Sequence, residues 1–266
     1  MKIMKIFPKL TIVAIAAVLL INGCKKNEIN YSDFEYVDPS QALIKINYNV
    51  AFYNDPFVQI KINGVRVSGT NVATRFPFPG GGLNTLGGST GDYLPINPGN
   101  TEVSISIPKR GTNIDSVEIY KTSLNTASGK YYSLHVADSL SRKGLPVEED
   151  VTLPDSGFVR YRFVNLMANV PAMDLYLGSK LVASNVPFMG IGTAFTLPTS
   201  EATISTTWAI RPAGALATST AIATYNSAST LLSRRVYTVF ATGYNGYNTA
   251  TATEKRRPFV AFYYVR

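Results

Sequence analysis

FVRYRFVNL, residues 158–166, returns in altered letters as ALIKINYNV at residues 42–50, and the echo continues downstream. The run Pro171-Ala172-Met173-Asp174-Leu175-Tyr176-Leu177 lies on Pro56-Phe57-Val58-Gln59-Ile60-Lys61-Ile62. Each run ends in a tight turn, Gly178-Ser179 in one and Asn63-Gly64 in the other, and each turn leads into a short apolar strand, LVA or VRV. Farther on, KYYSLHVAD at 130–138 resembles RVYTVFATG at 235–243. Self-similarity at a fixed spacing marks a duplicated unit. Alternation of apolar and polar residues marks half-buried strands. No apolar run of helical period and length lies between the echoes. The pattern therefore predicts an all-β chain of two tandem immunoglobulin-like β-sandwich domains, each with about seven short strands.

The turns set the local register. Asn-Gly accommodates positive φ at both central positions, so Asn63-Gly64 predicts a type I′ hairpin. Val58, Ile60 and Ile62 should then face the core, and Gln59 and Lys61 should face water. SRKGLPVEEDVTLPDSG, 141–157, is rich in Pro, Gly and charge and reads as the connector. It sets the first sandwich at 41–145 and the second at 155–266. The run RPFVAFYYVR, 257–266, breaks the half-buried rule. Phe259, Ala261, Tyr263 and Val265 alternate with Val260, Phe262 and Tyr264, so both faces are apolar. Such a strand should be covered on both sides, with the first module as the second cover.

The beginning of the chain reads as an address. Lys2, Lys5 and Lys9 precede a stretch, Leu10–Ile21, that is apolar but for Thr11. A helix of that length rises about 18 Å, well short of the roughly 30 Å hydrocarbon core. Residues 1–23 thus read as a secretory signal peptide. Leu20-Ile21-Asn22-Gly23-Cys24 resembles a bacterial lipobox, which implies cleavage before Cys24 and lipid attachment to its thiol. Cys24 is the only cysteine, so no disulfide competes for it. Lys25 is not the Asp associated with inner-membrane retention, which points to an outer-membrane lipoprotein. Lys25-Lys26-Asn27-Glu28 is only partly similar to the surface-export signal of Bacteroidetes lipoproteins, so the facing side stays open. Residues 24–40 then form a polar tether.

Composition excludes several function classes. Removing the three signal lysines lowers the formal charge from +8 to +5, with no broad basic face for nucleic acid. The densest cluster, Lys255-Arg256-Arg257, reads as a solvated loop before a strand. One histidine and one cysteine provide no soft-ligand metal cluster, and no cofactor is expected.

RFVNL followed by Pro171, Asp174 and Tyr176, and then LVASNVPF, looks like the bacterial family catalogued as domain of unknown function 4397. The resemblance is fullest in the second module. In the first, Gln59 and Lys61 stand where the motif has Asp and Tyr, and Asn49 keeps the Asn. The resemblance implies surface or secreted β-sandwich modules and brings no catalytic residues.

Candidate chemistry is sparse. His135 has Ser133 and Asp138 nearby in sequence, but neighbours on a strand point to opposite faces, and Phe240 holds the matching place in the repeat. A packing role is expected. The glycine-rich PGGGLNTLGGSTGD, 79–92, lacks the Gly-Lys-Ser/Thr ending of a phosphate loop and reads as a mobile loop or a disordered connector. Glu148, Glu149, Asp150 and Asp155 have oxygen ligands suited to calcium, in a spacing that fits a solvated linker better. Trp208, Tyr244 and Tyr247 are the candidate ligand-binding aromatics, since aromatic faces suit sugar rings. The expected function is a non-enzymatic, lipid-anchored envelope protein for binding, adhesion or structure, partnered by the membrane and by a glycan or another envelope protein. The alternative is a glycan-binding accessory of a polysaccharide-uptake system.

Overall fold

The structure, a computed structural model, describes residues 38–266 apart from 70, 71, 89, 113, 248, 249, 251 and 252. The signal segment, Cys24 and the tether before Asp38 lie outside the described residues. The chain is all-β, as its alternation predicts. Its first half holds β1 (Ala42–Asn49), β2 (Gln59–Ile62), β3 (Val65–Arg66), β4 (Phe76–Phe78) and β5 (Gly82–Leu83). These are followed by β6 (Leu94–Ile96), β7 (Gly99–Pro108), β8 (Asp115–Thr126), β9 (Tyr131–Ala137) and β10 (Lys143–Glu149). The second half holds β11 (Phe158–Asn165), β12 (Ala172–Leu177), β13 (Lys180–Pro187), β14 (Gly190–Ile191) and β15 (Phe195–Pro198). Last come β16 (Thr207–Pro212), β17 (Ala223–Asn226), β18 (Arg235–Thr242) and β19 (Phe259–Tyr264).

The repeat is visible in the wiring. One sheet of the first half runs β10-β9-β1-β4, with β6 also on β1, and the second half answers with β19-β18-β11-β14, with β15 also on β11. The other sheets run β3-β2-β7-β8 and β13-β12-β16-β17. In each half the opening strand pairs in parallel with its counterpart, β1 with β9 and β11 with β18. These pairings correct the sequence echo by one residue. Ile44 stands beside Tyr132, and Tyr161 beside Tyr237. Ile44 therefore matches Tyr161, and Lys45 matches Arg162, whereas letter similarity had set Lys45 on Tyr161.

The sheets stack in layers. Ile44, Ile46, Val58, Ile60, Val103, Leu134 and Val136 form the core of the first half. Tyr161, Phe163, Leu175, Trp208, Val239 and Phe262 form that of the second. Between the β1 and β11 sheets lies a third apolar cluster, with Ala137 from the first half and Val164, Phe240, Ala261, Tyr263 and Val265 from the second. This seam explains the doubly apolar final strand: Val260, Phe262 and Tyr264 enter the second core, while Ala261 and Tyr263 face the first half.

Local readings fare unevenly. Asn63 and Gly64 take φ of 48° and 78°, as the hairpin requires, and Val58, Ile60 and Ile62 are buried. Gln59 is a correction. It is fully buried and donates to Ser106 Oγ at 3.2 Å, because β7 and Asp115 on β8 cover that face. Lys61 is partly exposed and pairs with Asp115 at 2.8 Å. The connector also differs from its reading. Residues 143–149 form β10, which pairs with β9 along its length, so the first half's sheet extends past residue 145.

The glycine-rich loop is more than a bare connector. It carries β5, which adds to the free edge of β19, with Leu83 opposite Phe262 and Gly82 opposite Tyr263. Glycine is required because a Cβ at Gly82 would sit 2.2 Å from the Phe262 carbonyl oxygen. Asn84 Nδ2 donates to the Val260 carbonyl at 2.8 Å and fastens the clasp. A segment of the first half is thus a strand of the second half's sheet.

Candidate functional site

The odd-numbered residues of β1 and β9 that turn away from the first core bring polar groups into the seam. Lys45 is fully buried. Its Nζ donates to the Tyr264 carbonyl at 2.7 Å and stands 4.5 Å from the centre of the Tyr93 ring. Burial lowers Lys45 to about 7, against the opposing pull of Asp92 and Glu149. Tyr263 reaches across from β19, donates its hydroxyl to Glu149 and lies 2.6 Å from Ser133 Oγ. Burial and the Glu149 charge hold the Tyr263 hydroxyl well above its ordinary value. Arg162, the counterpart of Lys45, approaches Glu149 to 3.8 Å. One carboxylate on β10 therefore draws a tyrosine and an arginine from the second half.

His135 belongs to this cluster. It is fully buried, with Nδ1 3.0 Å from Asn47 Nδ2 and its ring 5.6 Å from that of Tyr263. Burial, reinforced by the Arg162 charge, lowers it to about 3, so the imidazole is neutral. Neither Ser133 nor Asp138 pairs with it. Asp138 instead accepts from the Leu140 and Ser141 amides, at 3.1 and 2.9 Å, and from the Tyr244 hydroxyl at 2.9 Å. The bond from Tyr244 to Asp138 joins one half to the other.

At one end of the seam, polar groups reach solvent. The loop between β1 and β2 supplies Tyr53 and Asp55, the segment before β4 supplies Arg75, and the segment before β19 supplies Glu254 to Arg257. The Arg256 guanidinium lies 4.1 Å from the Tyr247 ring centre and 4.9 Å from that of Tyr53. Glu254 holds it through both carboxylate oxygens, at 2.8 and 2.9 Å, and is itself lowered to about 2 by that contact. Beside this stack is a small pocket of about 40 Å³ lined by Asp55, Arg75, Glu254, Lys255, Arg257 and Phe259 among others. Arg75 lies 3.5 Å from the centre of the Phe259 ring, and Arg257 lies 4.7 Å from it.

The aromatics singled out from sequence separate. Trp208 is fully buried. Its Nε1 donates to Thr230 Oγ1 at 2.8 Å and its ring packs on Tyr161 and Phe262, so it presents no face to a ligand. Tyr244 is half-buried and accepts the Ser139 amide at 2.9 Å, a tie between the halves. Only Tyr247 stands at the solvent-facing end, in edge contact with Tyr244. The connector acids disperse to separate partners: Glu148 to Lys130 at 2.8 Å, Asp150 to Arg160 at 2.7 Å and Glu149 into the seam. Among the described residues no group of three or more His, Cys, Asp or Glu is placed to hold a metal ion. Cys24 lies outside the described residues. Sequence reasoning missed Arg75, Phe259 and Tyr53. The Lys255–Arg257 run was the visible signal, but a cluster of cations does not reveal the rings beneath it.

The Asp-x-Tyr motif of β12 is also placed. Asp174 accepts the Asn185 and Gly214 amides at 2.7 and 2.8 Å, and Tyr176 donates to the Ala215 carbonyl at 2.8 Å. Both side chains fasten loops of the second half. Residues 50–176 match the family model described as Domain of unknown function (DUF4397). No curated protein matches the chain. The match starts at the end of β1, runs through the rest of the first half and ends in β12. The first half is therefore covered more fully than the letter resemblance, strongest from residue 158 onward, had implied. The chain carries a DUF4397-like domain over residues 50–176.

Proposed function

We propose that this chain is a non-enzymatic binding protein of the cell envelope, lipid-anchored in the outer membrane through Cys24, whose ligand contact is the solvent-facing end of the seam. The observation that supports this reading is a composite surface. Tyr53 from the first half, 67% exposed, and Tyr247 from the second share one guanidinium, Arg256, held in place by Glu254. Preorganised aromatic and charged side chains on loops, carried by a rigid scaffold, suit recognition. The titratable groups of the seam interior are engaged in bonds between the halves.

The anchor and the site are tested separately. Labelled palmitate should enter the wild-type protein and not Cys24→Ala, and incorporation that survives the substitution would sink the anchor. The exposed Tyr53 ring favours the second reading, a glycan-binding accessory of a polysaccharide-uptake system, because flat rings suit the C–H face of a sugar. A glycan array should then give signals that fall in Tyr53→Ala and Tyr247→Ala. A blank array removes the glycan reading and leaves a protein partner.

A further inference from the structure

The pocket beside the Tyr53–Arg256–Tyr247 stack brings together the cations of Arg75 and Lys255. Arg75 donates Nη1 to the Asn84 carbonyl at 3.3 Å, and neither Arg75 nor Lys255 forms an ion pair with a described residue. Two carboxyls share the lining. Glu254 is committed to Arg256 through both oxygens, which leaves Asp55 alone to answer both Arg75 and Lys255; it accepts the Thr74 amide at 3.0 Å, and burial raises its carboxyl against the pull of those two charges. Two guanidinium groups nevertheless share the Phe259 ring. Burial and then the Arg257 charge lower Arg75 to about 10, against the opposing pull of Asp55.

The position is built rather than incidental. Arg75 has φ of 61°, a left-handed conformation that costs a non-glycine residue about 1 kcal/mol or more. Its backbone is pinned on both sides: its amide donates to the Tyr48 carbonyl at 2.9 Å, and its carbonyl accepts the Leu86 amide at 3.0 Å. Lys255 and Arg257 come from the other half, so the charge is assembled only when the seam is closed.

We infer that this pocket binds the oxyanion of a ligand, a carboxylate or a sulfate or phosphate ester, and that an acidic saccharide is the class that fits both the cations and the neighbouring tyrosine rings. A planar or tetrahedral oxyanion accepts hydrogen bonds from a guanidinium fork and an ammonium at once. The Tyr53 and Tyr247 rings offer apolar surface to the uncharged body of the sugar. The inference deepens the proposed function and rests on its reading of this end of the seam as a binding surface.

The test uses the purified full chain in detergent, titrated calorimetrically with glucuronate, inorganic sulfate, inorganic phosphate and, as the neutral control, glucose. Saturable binding of glucuronate that weakens roughly tenfold in Arg75→Gln and in Lys255→Gln, with glucose silent, supports the site. Binding of phosphate or sulfate without glucuronate assigns the same cations to an ester rather than a carboxylate. Glucose binding as well as glucuronate, or glucuronate binding unchanged in Lys255→Gln, overturns it. Lys255 is exposed, so its variant remains decisive if Arg75→Gln fails to fold. Silence from all three anions also overturns it. A positive glycan array with neutral sugars alongside that silence would leave the binding function standing and remove only the oxyanion site.

Discussion

Lys45 is a lysine on a strand whose every residue is buried, and its contribution to stability should be visible in pH. An amine lowered from 10.5 to about 7 in the folded protein keeps its ordinary value when unfolded. Between those two pH values the unfolded chain holds more protons than the folded one, so stability rises with pH across that window. The rise should reach about 4 kcal/mol, and Lys45→Met should abolish it. Urea denaturation at pH 7, 8 and 9 measures the slope directly, and a wild-type slope that persists in the variant would assign the titration elsewhere. Arg162, its structural counterpart, lies on the outer margin of the same seam and stays partly exposed. Duplication therefore placed cations at equivalent positions with unequal solvent contact.

At the scale of elements, β5 concentrates the risk. Gly82→Val puts a branched side chain where a Cβ would already stand 2.2 Å from the Phe262 carbonyl oxygen. The β5–β19 pairing should open, with a stability loss of about 2–3 kcal/mol by thermal or chemical denaturation. Gly69→Ala, where an added Cβ meets nothing within 4 Å, should change stability by less than about 0.5 kcal/mol. An equal loss in both variants would mean that the clasp adds nothing. Much of the fold was legible at this scale. Period-two alternation located β1, β2, β11 and β12, Asn63-Gly64 located its hairpin, and the doubly apolar β19 announced a second cover. What escaped was set by distant partners. Letter similarity cannot tell which of two adjacent residues faces the core, so Lys45 was matched one place off, and a slip of one exchanges the faces. Gln59 looked like a solvent residue because alternation does not report the strand that covers it. The glycines of 79–92 looked loose because close backbone approach and flexibility ask for the same residue. The candidate site was less legible still, since Tyr53, Arg75 and Phe259 meet only through the seam.

At the scale of the molecule, the seam should make the two halves one cooperative unit. Trp208 is the only tryptophan and sits in the second core, so its fluorescence reports that half, while far-ultraviolet circular dichroism reports all strands. The two midpoints should coincide in denaturant. A tryptophan transition displaced from the dichroism transition would show halves that unfold independently. The clasp also fixes an order of events during synthesis. The strands around β5 exist once the first half has been made, yet the β19 edge it needs is far downstream: Asn84 and Val260 stand 176 residues apart in sequence. Contacts so distant close slowly, because the chain between them must be ordered before they form. Until β19 arrives, the newborn first half shows an unmatched glycine-rich edge, and unpaired strand edges aggregate at cellular concentrations. The feature that welds the finished molecule thus creates, during its manufacture, an interval in which the nascent chain depends on being shielded.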